Sequence, residues 1–236
     1  MSAGGLRVLS AGAAKAVVQS LSQSFRDDTG VTVTATFDAA GSIRAQFAAD
    51  LRTDIVILPE AMVDALAADH VVDAASIAPL GRVPTGVAVR RGAAAPAIGD
   101  AAALRTAFLA ASALYCPDIE RSTAGLHFIK MVAAMGIETQ VRAKVRAYAN
   151  GATAMGAMAK PDAPSGALGC TQVTEILYTD GVALVGPLPP PYGLATTYTV
   201  AVSAHAANAD VARPFAALLT SPDTHALREA GGFARI

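Results

Sequence analysis

The sequence predicts an α/β chain built on a parallel sheet. Three observations point there. Strands and helices alternate from residue 6 onward, residues 54–58 form a fully apolar strand with an aspartate at its mouth, and the intervening stretches carry apolar residues at helical spacing.

The elements follow in order. Leu6–Ser10 is a short apolar strand, followed by Ala11-Gly12-Ala13 and a helical pattern from Ala14 to about Arg26. Val17, Val18, Leu21 and Phe25 recur at three- and four-residue spacing and form one helix face. Asp27-Asp28-Thr29-Gly30 ends it, with glycine suited to the position after the last turn. Val31–Phe37 alternates as a β-branched strand with one polar or partly exposed face. Ala40-Gly41-Ser42 leads into a helix through about Asp50, then come the strand Asp54–Leu58 and a helix from about Glu60 to Ala68.

The pattern changes near Pro79–Arg91, and the strand at Val83–Val89 opens a second unit. That unit contains a helix near Ala101–Ala111, a strand Ala113–Tyr115, a loop Pro117–Thr123 and a helix Ala124–Met135. After Gly136 come another helical stretch, apolar Gly166–Cys170 leading into Thr171–Leu177, and a strand Val182–Val185. Pro187–Pro191 is a stiff connector, and the strand Tyr198–Val202, the helix Asp210–Thr220 and a short helix near His225–Ala230 complete the chain.

Composition bounds the function. A chain of 236 residues, 53% hydrophobic and 16% charged, makes one large domain or two small lobes. A net charge of -1 on so apolar a chain excludes intrinsic disorder. It also gives no electrostatic case for nucleic acid or an anionic membrane, so any bound anion must be held by a local site. Cys116 and Cys170 lack metal-ligand partners at short spacing and read as small buried hydrophobes, and no metal or cofactor is expected. No apolar stretch reaches the ~18 residues of a membrane span, and Met1 to Gly5 is small and polar, unlike a secretory leader. The expectation is a soluble cytoplasmic protein; a chain whose leader had been removed, and so periplasmic, would look the same.

Three places share one geometry, in which a strand ends, small residues follow and a helix begins: Ser10–Lys15, Ala40–Arg44 and Ser122–His127. Helix starts present unpaired N–H groups and a positive dipole end, and small residues let a ligand approach them. Taken singly, each is also an ordinary loop and cap. Lys15 sits in a first turn, where the dipole disfavours a cation, so it either extends to solvent or faces an anion. His127 lies in the first turn of its helix, where a lone histidine is usually a core or surface residue, and Glu175 follows Thr171-Gln172 by one helical turn, as a capping residue or part of a solvated face. No nucleophile elbow, phosphate loop, dinucleotide fingerprint or zinc-protease motif occurs, which leaves hydrolase, NTPase, dehydrogenase and zinc-protease readings without support.

The strings Leu6–Ala13, Phe25–Val33, Gly41–Gln46, Thr53–Leu58, Thr123-Ala124-Gly125, Leu168–Gln172 and Tyr198–Val202 resemble the molybdate-binding proteins of ABC transporters, which are type II periplasmic binding proteins. The resemblance implies two α/β lobes joined by two crossing strands, with the ligand in a cleft between them. Lobe 1 would span residues 1–83 plus 187–236, and lobe 2 residues 84–186. It implies ligand contacts at Ser10, Ala13, Gly41, Ser42, Thr123, Ala124, Thr171, Gln172 and Tyr198. The molybdate proteins hold the oxyanion partly through two serine hydroxyls, where this chain has Ala13 and Ala40. Each missing charge-assisted bond is worth roughly 1.5–3 kcal/mol. Lys15 is foreign to those proteins, which use uncharged donors.

Leu9–Lys15, Gly125-Leu126-His127 and Thr171–Glu175 look similar to a side branch that includes aconitate isomerase. The resemblance implies a cofactor-free isomerase of a small unsaturated di- or tricarboxylate, with Lys15, His127 and Glu175 as candidate proton carriers. The alternative is a solute-binding protein that delivers an organic anion or oxyanion to an ABC transporter. A third reading, an oxyanion buffer using backbone donors alone, is disfavoured by the two alanines.

Overall fold

In the computed structural model, residues 5–234 are described; the reading of Met1–Gly4 lies outside them. The chain divides into two units: unit 1 holds the residues up to Arg82 and from Thr196 onward, and unit 2 is Val83–Ala195.

Unit 1 begins with β1 (Leu6–Ala11), a 3-10 turn at Gly12–Ala14 and α1 (Lys15–Thr29). Gly30 ends α1 in the left-handed region at φ 75°, and its N–H returns to the Arg26 carbonyl. Then follow β2 (Val33–Asp38), α2 (Ala40–Ala49), β3 (Ile55–Pro59) and α3 (Glu60–Ala68). β1 pairs in parallel with β2 on one side and β3 on the other, so the chain reverses its direction of travel across the sheet at β1. In open α/β sheets, ligands bind outside the carboxyl ends of strands at such a switch point.

β4 (Ala78–Arg90) carries the chain from unit 1 into unit 2. It starts earlier than the Val83 expected from the sequence, because the segment before it already pairs: Arg82 exchanges backbone hydrogen bonds with Ala234 at 3.0 and 2.7 Å. Unit 2 continues with α4 (Ala101–Ala110), β5 (Leu114–Pro117), α5 (Thr123–Ala134), α6 (Glu138–Val141), β6 (Val145–Tyr148), α7 (Gly151–Ala159), β7 (Leu168–Gln172), α8 (Val173–Tyr178) and β8 (Val182–Pro187). β5 pairs in parallel with β6 and β7, which places a second switch point at its carboxyl end; β4 closes that sheet antiparallel to β7 and β8. The sequence reading missed β6, four residues whose burial is only intermediate or low. β9 (Ala195–Val202) begins at the return to unit 1 and pairs antiparallel to β3; α9 (Ala209–Thr220) and α10 (His225–Ala230) follow.

Each unit has its own core. In unit 1, Phe47, Ile43 and the whole of β3 are buried, and Phe25 of α1 meets Phe215 of α9 with ring centroids 5.0 Å apart. In unit 2, alternate β-strand residues pack on opposite faces. Val87, Cys116, Leu168 and Cys170 join Phe108 and Phe128 of α4 and α5, whereas Ala88 and Tyr115 join Ala154, Met155 and Met158 of α7. Both cysteines are free and buried; burial pushes the Cys116 thiol up to about 12 and raises Cys170 as well, so both stay protonated and behave as apolar residues.

Candidate functional site

In unit 1 the carboxyl ends of the parallel strands are lined by small residues. Ser10 is fully buried, and its hydroxyl donates to the Ala11 carbonyl at 2.9 Å. Ala13 is buried in the 3-10 turn. Lys15, the first residue of α1, places Nζ 5.9 Å from the Phe37 ring centroid, a cation–π contact. Gly41 and Ser42 lie in the first turn of α2, behind buried Ala40. Neither α1 nor α2 has a side-chain cap or an acidic residue in its first turn. The Asp38 carboxylate, at the end of β2, accepts the Ala39 N–H at 2.8 Å. Tyr198 is buried on β9, level with Pro59 at the end of β3.

The same edge of unit 2 is built from polar side chains that satisfy one another. Ser122 caps α5: its hydroxyl accepts the Gly125 N–H at 2.9 Å and donates to the Asp118 carbonyl at 2.7 Å. Thr123 and Ala124 are the first residues of that helix. His127 is half-buried, and its Nε2 is hydrogen-bonded to the Tyr192 carbonyl at 2.8 Å.

Thr171, Gln172 and Glu175 are all buried. The Glu175 carboxylate accepts the Thr171 hydroxyl at 2.5 Å and the Gly151 N–H at 3.2 Å. The backbone N–H groups of Ala152 and Gln172 reach it as well. Gln172 is the N-cap of α8 and Glu175 its third residue, so the bond back to the Gln172 N–H is one half of a capping box, without a cap from the Gln172 side chain. Burial pushes the Glu175 carboxyl above its ordinary value, opposed by these four donors.

The structure therefore groups Ser10, Ala13, Lys15, Gly41, Ser42 and Tyr198 in unit 1, and Thr123, Ala124, His127, Thr171, Gln172 and Glu175 in unit 2. Two residues escaped the sequence reading. Gly151 starts α7, and the signal for it was Asn150, whose side chain accepts the Thr153 N–H at 2.9 Å as a helix cap. Thr85, opposite Gln172 on β4, is fully buried, and its hydroxyl has no partner among the described residues. By strand alternation Thr85 and Gln172 share the face of Val87 and Cys170, which is the face covered by α5. Nothing in the local sequence marked Thr85, because its role depends on strand register. Among the described residues no group of three or more His, Cys, Asp or Glu side chains could hold a metal ion.

A family model described as bacterial extracellular solute-binding protein matches residues 6–234. Among solved structures, the periplasmic molybdate-binding protein of Azotobacter vinelandii is similar, with TM-score 0.79 and 16% identity over 98% of this chain and 99% of that one. The sulfate-binding protein SubI from Mycobacterium tuberculosis has TM-score 0.74 and 18% identity over 99% and 87% of the two chains. PEB3 with L-phospholactate bound has TM-score 0.71 and 15% identity over 98% and 100%; PEB3 is from Campylobacter jejuni. No curated protein matches the chain. At these identities the structures establish the fold, an α/β two-lobe fold of the type II periplasmic-binding-protein class.

Two expectations are corrected. The isomerase reading is overturned, because the match over residues 6–234 is to solute-binding proteins, and the aconitate-isomerase resemblance gains no support. The side-chain geometry agrees: a proton carrier needs a position open to substrate, but the Glu175 carboxylate is saturated by internal donors and the His127 Nε2 is tied to Tyr192. The cytoplasmic expectation is overturned by the same match, since the family is extracellular.

Proposed function

The chain belongs to the bacterial extracellular solute-binding protein family, and we propose that it captures a small organic anion, a carboxylate in preference to a compact tetrahedral dianion, for a transporter of the ABC class. The observation that carries this reading is the pair of uncapped helices in unit 1. The 3-10 turn Gly12–Ala14 that leads into α1, and α2 itself, start at the carboxyl ends of parallel strands with no side-chain cap and no acid in the first turn. Such N–H groups suit an external anion. Lys15 adds a positive charge at the first of them. The similar structures are a molybdate-binding protein, a sulfate-binding protein and PEB3 with L-phospholactate bound, which supports an anion as the cargo.

The preference for a carboxylate rests on what the site lacks and what it has. Ala13 and Ala40 supply no hydroxyl to a compact oxyanion. Asp38 stands at the start of α2 and opposes a dense double charge there.

The test is thermal unfolding and calorimetry with sodium salts of citrate, malate and trans-aconitate beside molybdate and sulfate. A carboxylate is expected to raise the melting temperature with its concentration, as linkage requires; about 100-fold excess over Kd stabilises by roughly 2.7 kcal/mol. Response to molybdate or sulfate with silence from every carboxylate overturns the preference. In an Ala13→Ser, Ala40→Ser double variant, molybdate affinity should rise tenfold or more per hydroxyl.

A further inference from the structure

One carboxylate in unit 2 has the surroundings of a bound ligand. Glu175 receives the Gly151 and Ala152 N–H groups from the start of α7, the Gln172 N–H from its own first turn and the Thr171 hydroxyl from the end of β7. α7 runs nine residues and has no acid of its own in its first turn, so the positive end of its dipole meets this carboxylate. The approach is so close that only glycine fits at position 151. A Cβ there would collide with the Glu175 Oε2 and the Thr171 Oγ1. Glycine thus leaves room for the carboxyl group, as in sites where a backbone must approach a bound group.

We propose that the start of α7 and the end of β7 form a carboxyl cradle that this chain fills with its own Glu175 side chain. The filled cradle is a positioning device. It fixes the β7–α8 junction on α7 and turns the Thr171 hydroxyl inward, which removes Thr171 and Gly151 from solute recognition. Strand alternation sends the neighbouring Gln172 to the opposite face, with Thr85. That division of labour between Thr171 and Gln172 rests on the solute-binding reading; the cradle itself does not.

The test is chemical rescue in the full chain, with sodium formate as probe and sodium chloride at equal ionic strength as reference. Glu175→Ala removes the carboxylate and leaves its four donors without an acceptor. The melting temperature should fall by about 5–10 °C, and formate should restore at least half of the loss. The wild-type protein should not respond to formate beyond the chloride reference. Glu175→Gln keeps the volume and one acceptor, and should be destabilised without a formate response. If Glu175→Ala does not fold alone, it is refolded from urea with and without formate, and recovery with formate only supports the cradle. A Glu175→Ala variant no more responsive to formate than Glu175→Gln, or one that fails to refold even in high formate, overturns it. No transported solute enters these measurements. Rescue without any solute binding therefore leaves the cradle standing and removes the solute reading, and binding without rescue does the reverse.

Discussion

Two helix starts in unit 1 and two in unit 2 follow their parallel strands in opposite ways. In unit 1, α1 and α2 begin without a side-chain cap. In unit 2, α5 is capped by Ser122, α7 is capped by Asn150, and the α7 terminus also receives the Glu175 carboxylate. A missing cap costs about 1 kcal/mol of helix stability, so unit 1 gives up stability at the places where unit 2 secures it. Helix starts without side-chain caps at a strand switch point are the arrangement expected where an external acceptor completes the structure. The contrast teaches that similar strand–helix topology can leave helix starts uncapped in one unit and close them with side chains in the other.

The sharpest way to break this picture is within α7 itself. Gly151→Ala drives a methyl group into Glu175 and Thr171, whereas Gly156→Ala, on the same helix, meets nothing within 4 Å. The first should destabilise by about 3 kcal/mol, since the obstruction is a buried polar network anchored in two elements. The second should stabilise by about 0.5–1 kcal/mol from helix propensity. Urea unfolding of both variants measures the pair. A mild effect at residue 151 would mean that the cradle yields easily and does not hold unit 2 together.

The next effect is a pH dependence. Glu175 is raised above its ordinary value of 4.5, first by burial, with Thr171 and the Gly151, Ala152 and Gln172 N–H groups opposing. The folded state therefore binds this proton more tightly than the unfolded chain. The contribution is fully present below the unfolded value and is lost as pH rises through the folded one. Wild-type stability minus that of Glu175→Gln should accordingly decline as pH rises from about 4.5. Asp50 and Asp73 act in the opposite sense, lowered by hydrogen bonds from Arg7 and Arg213, but both remain in the variant and cancel in the difference. A difference that is flat or rises with pH would show that the donors outweigh burial.

The fold was legible because its signals are local. Val17, Val18, Leu21 and Phe25 mark one face of α1, and the apolar run of β3 marks a buried strand, so the α/β alternation in unit 1 follows from the sequence. β6 was not legible: it is short and half-exposed, and its pairing with β5 is set by tertiary register. The site divides along the same line. The sequence marked Thr171, Gln172 and Glu175 as a group, since a capping box has a fixed spacing. The resemblance to aconitate isomerase suggested proton transfer for Glu175, and spacing could not correct it because it carries no information on what faces a carboxylate; Gly151 lies 24 residues away in the chain. Thr85 was invisible for a similar reason, as only the β4–β7 register places it beside Gln172.

The smallest effect tests the contrast between the units most directly, by exchanging their caps. Ser122→Ala should cost unit 2 about 1 kcal/mol, because the Gly125 N–H loses its acceptor and the Asp118 carbonyl its donor. Ala39→Ser should do the reverse in unit 1. Ala39 is the N-cap of α2, with φ -57° and ψ 144°, an extended conformation in which a serine hydroxyl reaches the helix N–H groups. The gain should be about 0.5–1 kcal/mol in the absence of solute. In the presence of a bound carboxylate the same substitution should lower affinity severalfold, because the new hydroxyl competes for donors that the anion uses. Stabilisation by Ala39→Ser with unchanged affinity would show that the open end of α2 is a structural economy and not part of the binding surface. No stabilisation at all would mean that Asp38, already bonded to the Ala39 N–H at 2.8 Å, satisfies that helix by itself.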